Sequence, residues 1–225
     1  METLPLATLQ PTQFDAATEL LCAAFADDPL FNYLVPPAVP NQREVMTYLF
    51  RLLLLCGGGH SYSLIDDDTQ ALKGLAIWIP PGQTVGLLEM LRAGLYELPF
   101  RLPWGYLPRW QAALNLDHYH HQAMPKPHWY LMLLAVSPSY QRQGVGHQLM
   151  QPVLDQCDGQ RLAFGYQPGG SPCYVETSTE GAVRFYQRHG FEIVKTGPFA
   201  DQAPPFWTLQ RRPRPQVDLA LASKT

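Results

Sequence analysis

Leu133-Leu134-Ala135-Val136-Ser137-Pro138-Ser139-Tyr140-Gln141-Arg142-Gln143-Gly144-Val145-Gly146-His147-Gln148-Leu149-Met150 is the stretch on which the reading of this chain turns. The nearly continuous apolar run from Trp129 to Val136 reads as a strand buried on both faces. Val145, Leu149 and Val153, with Met150 and Leu154, then recur at helical spacing, which predicts a helix from about Gly144 to Cys157 lying on a sheet. A strand, a glycine-bearing turn and a helix start together make a place for an anion. Gly144 and Gly146 remove side chains so that backbone N–H groups can approach it, and the helix N-terminus adds the positive end of its dipole. Arg142 can supply a charge-assisted contact. Pro152 lies inside the predicted helix, where the lost hydrogen bond normally costs about 3 kcal/mol, so a kink is expected there.

Two better-known glycine motifs do not fit. A Walker A loop needs G-x-x-x-x-G-K-S/T, and no lysine stands in this segment. A dinucleotide fingerprint needs a third glycine where the chain has Leu149.

Working outward, strands are expected at Leu4 to Leu9, Ser61 to Ile65, Leu72 to Ile79, Cys173 to Thr177, Phe191 to Thr196 and Phe206 to Gln210. Thr12 and Asp15 have the spacing that closes a helix N-terminus, and a helix follows to about Ala26. Asp27-Asp28-Pro29 stops it before a short turn of helix at Leu30 to Leu34. A further helix, capped by Asn41, runs through Leu49 and Leu53 to Cys56. The glycines 57 to 59 end that helix as a C-cap and loop. Asp66, Asp67 and Asp68 read as the solvated turn of a hairpin, and Glu180 to His189 as another helix. The sum is a mixed α/β sheet with strand-turn-helix units in its second half.

Residues 80–128 read as an insertion. Val85, Leu88, Leu91, Leu95 and Leu98 predict one amphipathic helix, and a second stretch runs from about Leu107 to Ala123. Tyr96, Phe100, Trp104, Tyr106 and Trp110 make the segment rich in aromatics. They serve either as core or as the wall of an apolar acceptor pocket.

With 225 residues, 46% hydrophobic and 16% charged, the chain can build one full core. A net charge of −3 excludes an extended nucleic-acid surface, which needs clustered Lys and Arg. Arg211, Arg212 and Arg214 alternate with prolines and read as a solvated tail, which places a single domain over 1–210 and a flexible tail over 211–225. No apolar stretch is long enough for a membrane span, and the N-terminus lacks a signal-peptide pattern. The four dispersed cysteines suit a reducing cytoplasm.

Gln141 to Gly146 resembles the Q/R-x-x-G-x-G/A pyrophosphate loop of the GNAT N-acetyltransferases. A second block, Val175-Glu176-Thr177 through Phe185-Tyr186-Gln187-Arg188-His189-Gly190-Phe191-Glu192, resembles that family's strand, helix and Phe-Tyr-x-x-x-Gly-Phe segment. The resemblance covers about Trp129 to Val194. It extends loosely to Ala24-Phe25-Ala26-Asp27-Asp28-Pro29 and to Pro127-His128-Trp129-Tyr130-Leu131, both similar to puromycin N-acetyltransferase-like members. It implies a GNAT-like fold, a central mixed sheet flanked by helices with the helical insertion between strands 3 and 4. It also implies acetyl transfer from acetyl-CoA to an amine. Backbone groups of Leu134, Ala135 and Val136 would hold the pantetheine arm between two splayed strands. Gln141, Arg142, Gln143, Gly144, Val145, Gly146 and His147 would hold the pyrophosphate. Tyr186 matches the tyrosine that protonates or orients the leaving thiolate. Thr179 stands where many members place an asparagine, and it can make one hydrogen bond.

Glu176, on a central strand beside the expected cleft, is the leading base candidate, since a buried carboxylate can reach the basicity needed to deprotonate an ammonium. A salt-bridged or surface glutamate is the competing reading. His118 and His121 share a helical face with no Cys or Glu as a further ligand, so no metal is expected; substrate contact, proton relay and plain packing stay open for His118, His120, His121 and His128. The expected acceptor is a small-molecule amine, with a homodimer allowed and neither nucleic acid nor membrane as partner. A protein or peptide N-terminus, or a noncatalytic acyl-CoA-binding module on the same fold, are the alternatives.

Overall fold

Seven strands join in one sheet: β1 (Ala7–Thr8), β2 (Ser61–Ile65), β3 (Leu72–Ile79), β4 (Trp129–Val136), β5 (Cys173–Thr177), β6 (Glu192–Thr196) and β7 (Trp207–Arg211). Their spatial order is β1-β2-β3-β4-β5-β7-β6. Every neighbouring pair is antiparallel except β4 and β5. The computed structural model describes residues 7–83, 85–114, 116–124, 127–159 and 170–214; the side chains of 112–114, 117–119 and 121 lie outside that description. The first strand is described only from Ala7, so the expected start at Leu4 lies outside the described residues, as does the tail from 215.

Nine helices among the described residues cover the sheet: α1 (Phe14–Ala24), α2 (Pro29–Leu34), α3 (Gln42–Gly57), α4 (Leu87–Ala93), α5 (Leu98–Arg101), α6 (Leu107–Leu114), α7 (Leu116–Ala123), α8 (Val145–Cys157) and α9 (Glu180–Arg188). Alternation along β3 divides the core in two. Leu75, Ile77 and Ile79 pack with Leu21 of α1, Phe31 of α2 and Phe50 of α3. Ala76 and Trp78 face the other way, onto Leu149 and Met150 of α8 and Tyr186 of α9. Both faces of the central strands are thus covered, which is why the β4 sequence is apolar almost throughout. α8 runs unbroken through Pro152.

Several expectations are corrected. Thr12 is not the α1 cap, because a 3-10 turn at Pro11–Gln13 precedes the helix and the Gln13 side chain accepts from the Gln10 N–H at 2.8 Å. Asn41 flanks α3 but makes no capping bond; its amide donates to Arg101 O at 3.3 Å. The single amphipathic helix expected over Val85 to Leu98 is broken at Gly94, whose φ of 122° is closed to most side chains, into α4, a 3-10 turn and α5. Arg211 is no tail residue: it ends β7, is 3% exposed, and holds Asp158 through two bonds of 2.8 and 2.6 Å.

The sheet opens at its centre. β4 and β5 pair only from Trp129↔Cys173 to Leu131↔Val175. In the ladder with β3, Leu131 faces Trp78 while Leu133 faces Ile77, so Met132 is an extra residue. Such a bulge bends its strand and sharpens the twist. The bulge falls where the pairing with β5 stops. Beyond it, Leu133 and Ala135 join the core cluster on the α1 side, whereas Leu131 belongs to the α8 side.

Candidate active site

The divergence leaves one edge of β4 beyond Leu131 without a strand partner among the described residues. Ser137 gives its N–H to Lys73 O at 2.9 Å, toward β3. Strand alternation therefore turns the amide groups of Val136 and Leu134 to the opposite edge, into the opening, while those of Ala135 face β3. Of the three backbone positions expected at the pantetheine arm, two point into the gap. The Gln141 side chain reaches back to donate to Val136 O at 3.3 Å and ties the next loop to this edge.

That loop has an unusual backbone. Arg142 (φ 61°) and Gly144 (φ 82°) are both left-handed. Gln143 donates to Ser139 O at 2.9 Å, and Gln148 N donates to Gly144 O as the first helical bond of α8. A turn of this kind collects N–H groups into a concavity suited to an anion. Arg142, a non-glycine in the left-handed region, carries a strain of about 1–2 kcal/mol there. The two glycines also answer to the fold around them. A Cβ at Gly144 would meet nothing nearer than Gln148 Nε2 at 4.0 Å, so glycine serves the positive φ at that position. At Gly146 a Cβ would lie 3.2 Å from Phe185 Cζ, so that glycine lets α8 and α9 pack closely. The donor set fits a diphosphate: left-handed turn, helix start, exposed Arg142 and no acidic side chain from Gln141 to His147.

His147, in the first turn of α8, lies 3.1 Å from the His189 ring. Phe185 O can only accept, so His189 Nδ1 donates to it at 2.9 Å, and the neutral His189 Nε2 then accepts from His147 Nδ1. Burial holds the His189 pKa below the usual histidine value.

A cavity of about 610 Å³ adjoins the split in the sheet. Tyr186, on α9, is 6% exposed and lines it. Burial first, and the charge of Asp28 second, push its hydroxyl well above the usual tyrosine value, so it stays protonated at neutral pH. Glu176 lines the same cavity and accepts from Tyr174 at 2.8 Å and, more weakly, from Tyr130 at 3.5 Å. It is half-buried on the cavity wall. Thr179 is the N-cap of α9; its hydroxyl oxygen accepts from Ala182 N at 3.3 Å, though the residue also borders the cavity.

Asp28 was readable in the sequence only as a helix stop. It caps α2, accepting from Leu30 N and Phe31 N at 2.9 and 3.1 Å, and Ser178 donates to its second oxygen at 3.1 Å. Burial raises its pKa above the ordinary aspartate value, against the pull of those hydrogen bonds. The signal that marks it is Asp-Pro before an apolar turn, an N-cap signature. Nothing local tells that the cap borders a cavity; the contact to Ser178 spans 150 residues.

The histidines divide. His120 and His128 lie on the cavity, their Nε2 atoms 2.6 Å apart with one ring donating to the other. The His120 ring stacks on Tyr174 with centroids 4.3 Å apart. The expected shared face of His118 and His121 lies outside the described side chains. The insertion supplies much of the wall, through Val85, Met90, Trp110 and Met124. Its aromatics do not act together, however: Trp110 lines the cavity and donates to Leu34 O at 3.0 Å, while Phe100 and Trp104 are 86% and 75% exposed.

A mixed sheet split between parallel central strands, with a diphosphate-type loop at one end of the split and a cavity beside it, has the architecture of the GNAT fold. The family model described as Acetyltransferase (GNAT) domain matches residues 111–193. An uncharacterised N-acetyltransferase of Schizosaccharomyces pombe is 24% identical over 190 residues, 81% of this chain and 72% of that protein. A crystal structure of histone acetyltransferase HPA2 and related acetyltransferase from Corynebacterium glutamicum superposes with a TM-score of 0.64 at 19% identity, covering 94% of this chain and 98% of the other. Arylalkylamine N-acetyltransferase 2 from Aedes aegypti superposes with a TM-score of 0.59 at 16% identity, covering 93% and 98%.

Proposed function

We propose that this chain transfers the acetyl group of acetyl-CoA directly to the nitrogen of a small-molecule amine. The observation that carries the reading is one opening bordered by unpaired strand edge, a protonated tyrosine and two carboxylates. Acetyl-CoA supplies a thioester carbonyl that a neutral amine can attack. Leu134 and Val136 would hold its arm through their amide groups, and Gln141 to Gly146 with Arg142 and His147 would hold its diphosphate. Ala135 contributes through the ladder that fixes this edge, and Thr179 through the α9 cap. Amide N–H groups at the β4 edge are placed to stabilise a developing oxyanion.

An ammonium must lose its proton before its lone pair can form the new C–N bond. Glu176 is the proposed acceptor of that proton. Tyr186 supplies a proton to the sulfur as the C–S bond breaks. A second reading gives Asp28 the role of base, because it lines the same cavity as Tyr186 and burial raises its pKa above the ordinary aspartate value. A puromycin N-acetyltransferase-like branch remains the proposed placement, resting on residues 24–29 and 127–131. A reducing cytoplasm is the proposed compartment; the four cysteines are free and no described helix is long and apolar enough to cross a membrane.

A cavity of about 610 Å³ with a largely apolar wall suits a small acceptor better than a folded protein N-terminus. The name of the Aedes structure, an arylalkylamine N-acetyltransferase, supports a small amine. The test is release of CoA thiol from acetyl-CoA with a panel of primary amines. Acetylation of at least one amine is expected. Tight acetyl-CoA binding without turnover on any amine would instead make the chain a noncatalytic acyl-CoA-binding module.

A further inference from the structure

The imidazoles of His147 and His189 take no part in the proton transfers proposed for the amine and the thiol, yet their hydrogen bonds run in one fixed direction. Gly146 lets α8 and α9 approach closely, and that approach brings His147 of α8 beside His189 at the end of α9. His189 is anchored on every side. Its N–H donates to Tyr186 O at 2.9 Å, its carbonyl accepts from Arg211 Nε at 3.0 Å, and its Nδ1 donates to Phe185 O at 2.9 Å. The half-buried ring also lies against the Phe185 ring, with centroids 4.4 Å apart. Burial first, with His147, Arg188 and Arg211 acting the same way against the pull of the Phe185 bond, holds its pKa below the usual histidine value.

A neutral His189 held in this way offers its neighbour only the lone pair on Nε2. The 3.1 Å bond then requires a hydrogen on His147 Nδ1, which leaves a neutral His147 with a lone pair on its own Nε2. Diphosphate oxygens are acceptors as well, so the neutral ring has no hydrogen to give them. Shifting the hydrogen to Nε2 would set two lone pairs against each other at 3.1 Å, and His189 can turn its ring only by giving up Phe185 O. The imidazolium satisfies both sides, with Nδ1–H to His189 and Nε2–H to the diphosphate. The charged groups around the pair among the described residues are Arg142 on the loop, Arg188 on α9 and Arg211 on β7, the last offset by Asp158 through bonds of 2.8 and 2.6 Å. A bound diphosphate adds the negative charge that favours an imidazolium in such company.

We infer that His189 is a positioning residue that fixes His147 as a proton-accepting ligand of the diphosphate, so that acetyl-CoA and CoA bind with uptake of a proton from solvent at His147 Nε2. The inference rests on the acetyl-CoA reading of the loop and adds a pH dependence to it. The proton returns to solvent when CoA leaves. By linkage the affinity for either molecule weakens as pH rises through the histidine range. The acceptor amine has the opposite slope, because it must lose a proton before it attacks. The pH profile for acetyl-CoA thus separates the histidine from the base.

The probe is 3′-dephospho-CoA, which keeps the diphosphate and lacks the phosphate monoester that itself titrates at about pH 6. Calorimetry at about pH 7.5 in two buffers of different ionisation enthalpy gives the number of protons taken up with the ligand. At least about half a proton is expected, since an ordinary histidine is mostly neutral there. The affinity then falls at least about threefold from pH 7 to pH 8. His147→Gln is expected to bind the probe without proton uptake and with an affinity that is flat over that range. His189→Phe keeps a ring in place but offers no acceptor, and it is expected to lower the uptake at least about twofold, a readout that a merely structural loss would not move. Binding without proton uptake, or uptake that persists in His147→Gln, would overturn the inference and leave the acetyl-CoA reading standing. Full uptake in His189→Phe would overturn the positioning role. Failure of both 3′-dephospho-CoA and acetyl-CoA to bind would remove the reading of the loop, and the inference with it.

Discussion

Replacing Arg142 with glycine is expected to move stability and acetyl-CoA affinity in opposite directions. Arg142 holds φ at 61° on an exposed loop. A side chain in the left-handed region costs about 1–2 kcal/mol, and glycine removes that strain. Glycine also gives the unfolded chain more freedom, which takes back about 0.4–1 kcal/mol. The net expectation is a gain of about 0.5–1 kcal/mol, because an exposed side chain has little packing to lose. The same change deletes a cation proposed to meet the diphosphate. A hydrogen bond to a charged group contributes about 1.5–3 kcal/mol, and solvent exposure places this one at the low end, which is roughly a tenfold loss of affinity. Urea denaturation measures the first quantity and titration calorimetry the second, at two salt concentrations, since the lost term should be screened. Weaker affinity with unchanged or higher stability fits the loop as described. Unchanged affinity would refute the assignment of Arg142 to the diphosphate, and lowered stability would refute the strain.

Gly146→Ala sets two terms against each other. Helix propensity returns about 0.5–1 kcal/mol, while crowding Phe185 at 3.2 Å costs about 1–3 kcal/mol, so a net loss of about 1 kcal/mol is expected in denaturation; a gain would mean that α8 and α9 separate freely. For Asp28→Asn the sign follows from a raised folded-state pKa. The folded protein binds that proton more tightly than the unfolded chain, so the charge costs stability above the folded value, and the cost disappears as pH falls toward 3.8. Since Asn caps helices about as well as Asp, the variant should be the more stable protein at pH 7, with the gap closing toward pH 4 in thermal scans. A variant less stable at pH 7 would mean that the carboxylate's hydrogen bonds outweigh its burial.

Much of the fold was legible because local pattern and tertiary role agree. β2, β3, β4 and β5 begin and end where hydrophobic periodicity places them. Disagreement arises where a residue answers to a distant neighbour. Gly94 interrupts an otherwise regular heptad-like apolar pattern because its carbonyl accepts from Tyr48 of α3 at 2.5 Å. Arg211 looks like part of a proline-rich tail, yet it holds an aspartate at the far end of α8. The site divides in the same way. The loop, Tyr186 and Glu176 sit in short motifs whose spacing is visible along the chain. Asp28, Tyr130, Tyr174 and His120 come together only when α2, α7 and the central strands meet, and the bulge at Met132 that opens the sheet leaves no mark in an apolar run. Gly146 shows the limit of reading a motif by one rule, since its small size also serves the packing of α8 on α9, which no local pattern announces.

The most direct test of the catalytic account is Tyr186→Phe, assayed for kcat on an accepted amine and for acetyl-CoA affinity by calorimetry. The hydroxyl is the only atom removed, from a ring buried against Phe191 at 5.7 Å, so the fold should persist. The account predicts that kcat falls at least about tenfold, as for loss of a general acid, while acetyl-CoA binds with similar affinity. Unchanged kcat would contradict it.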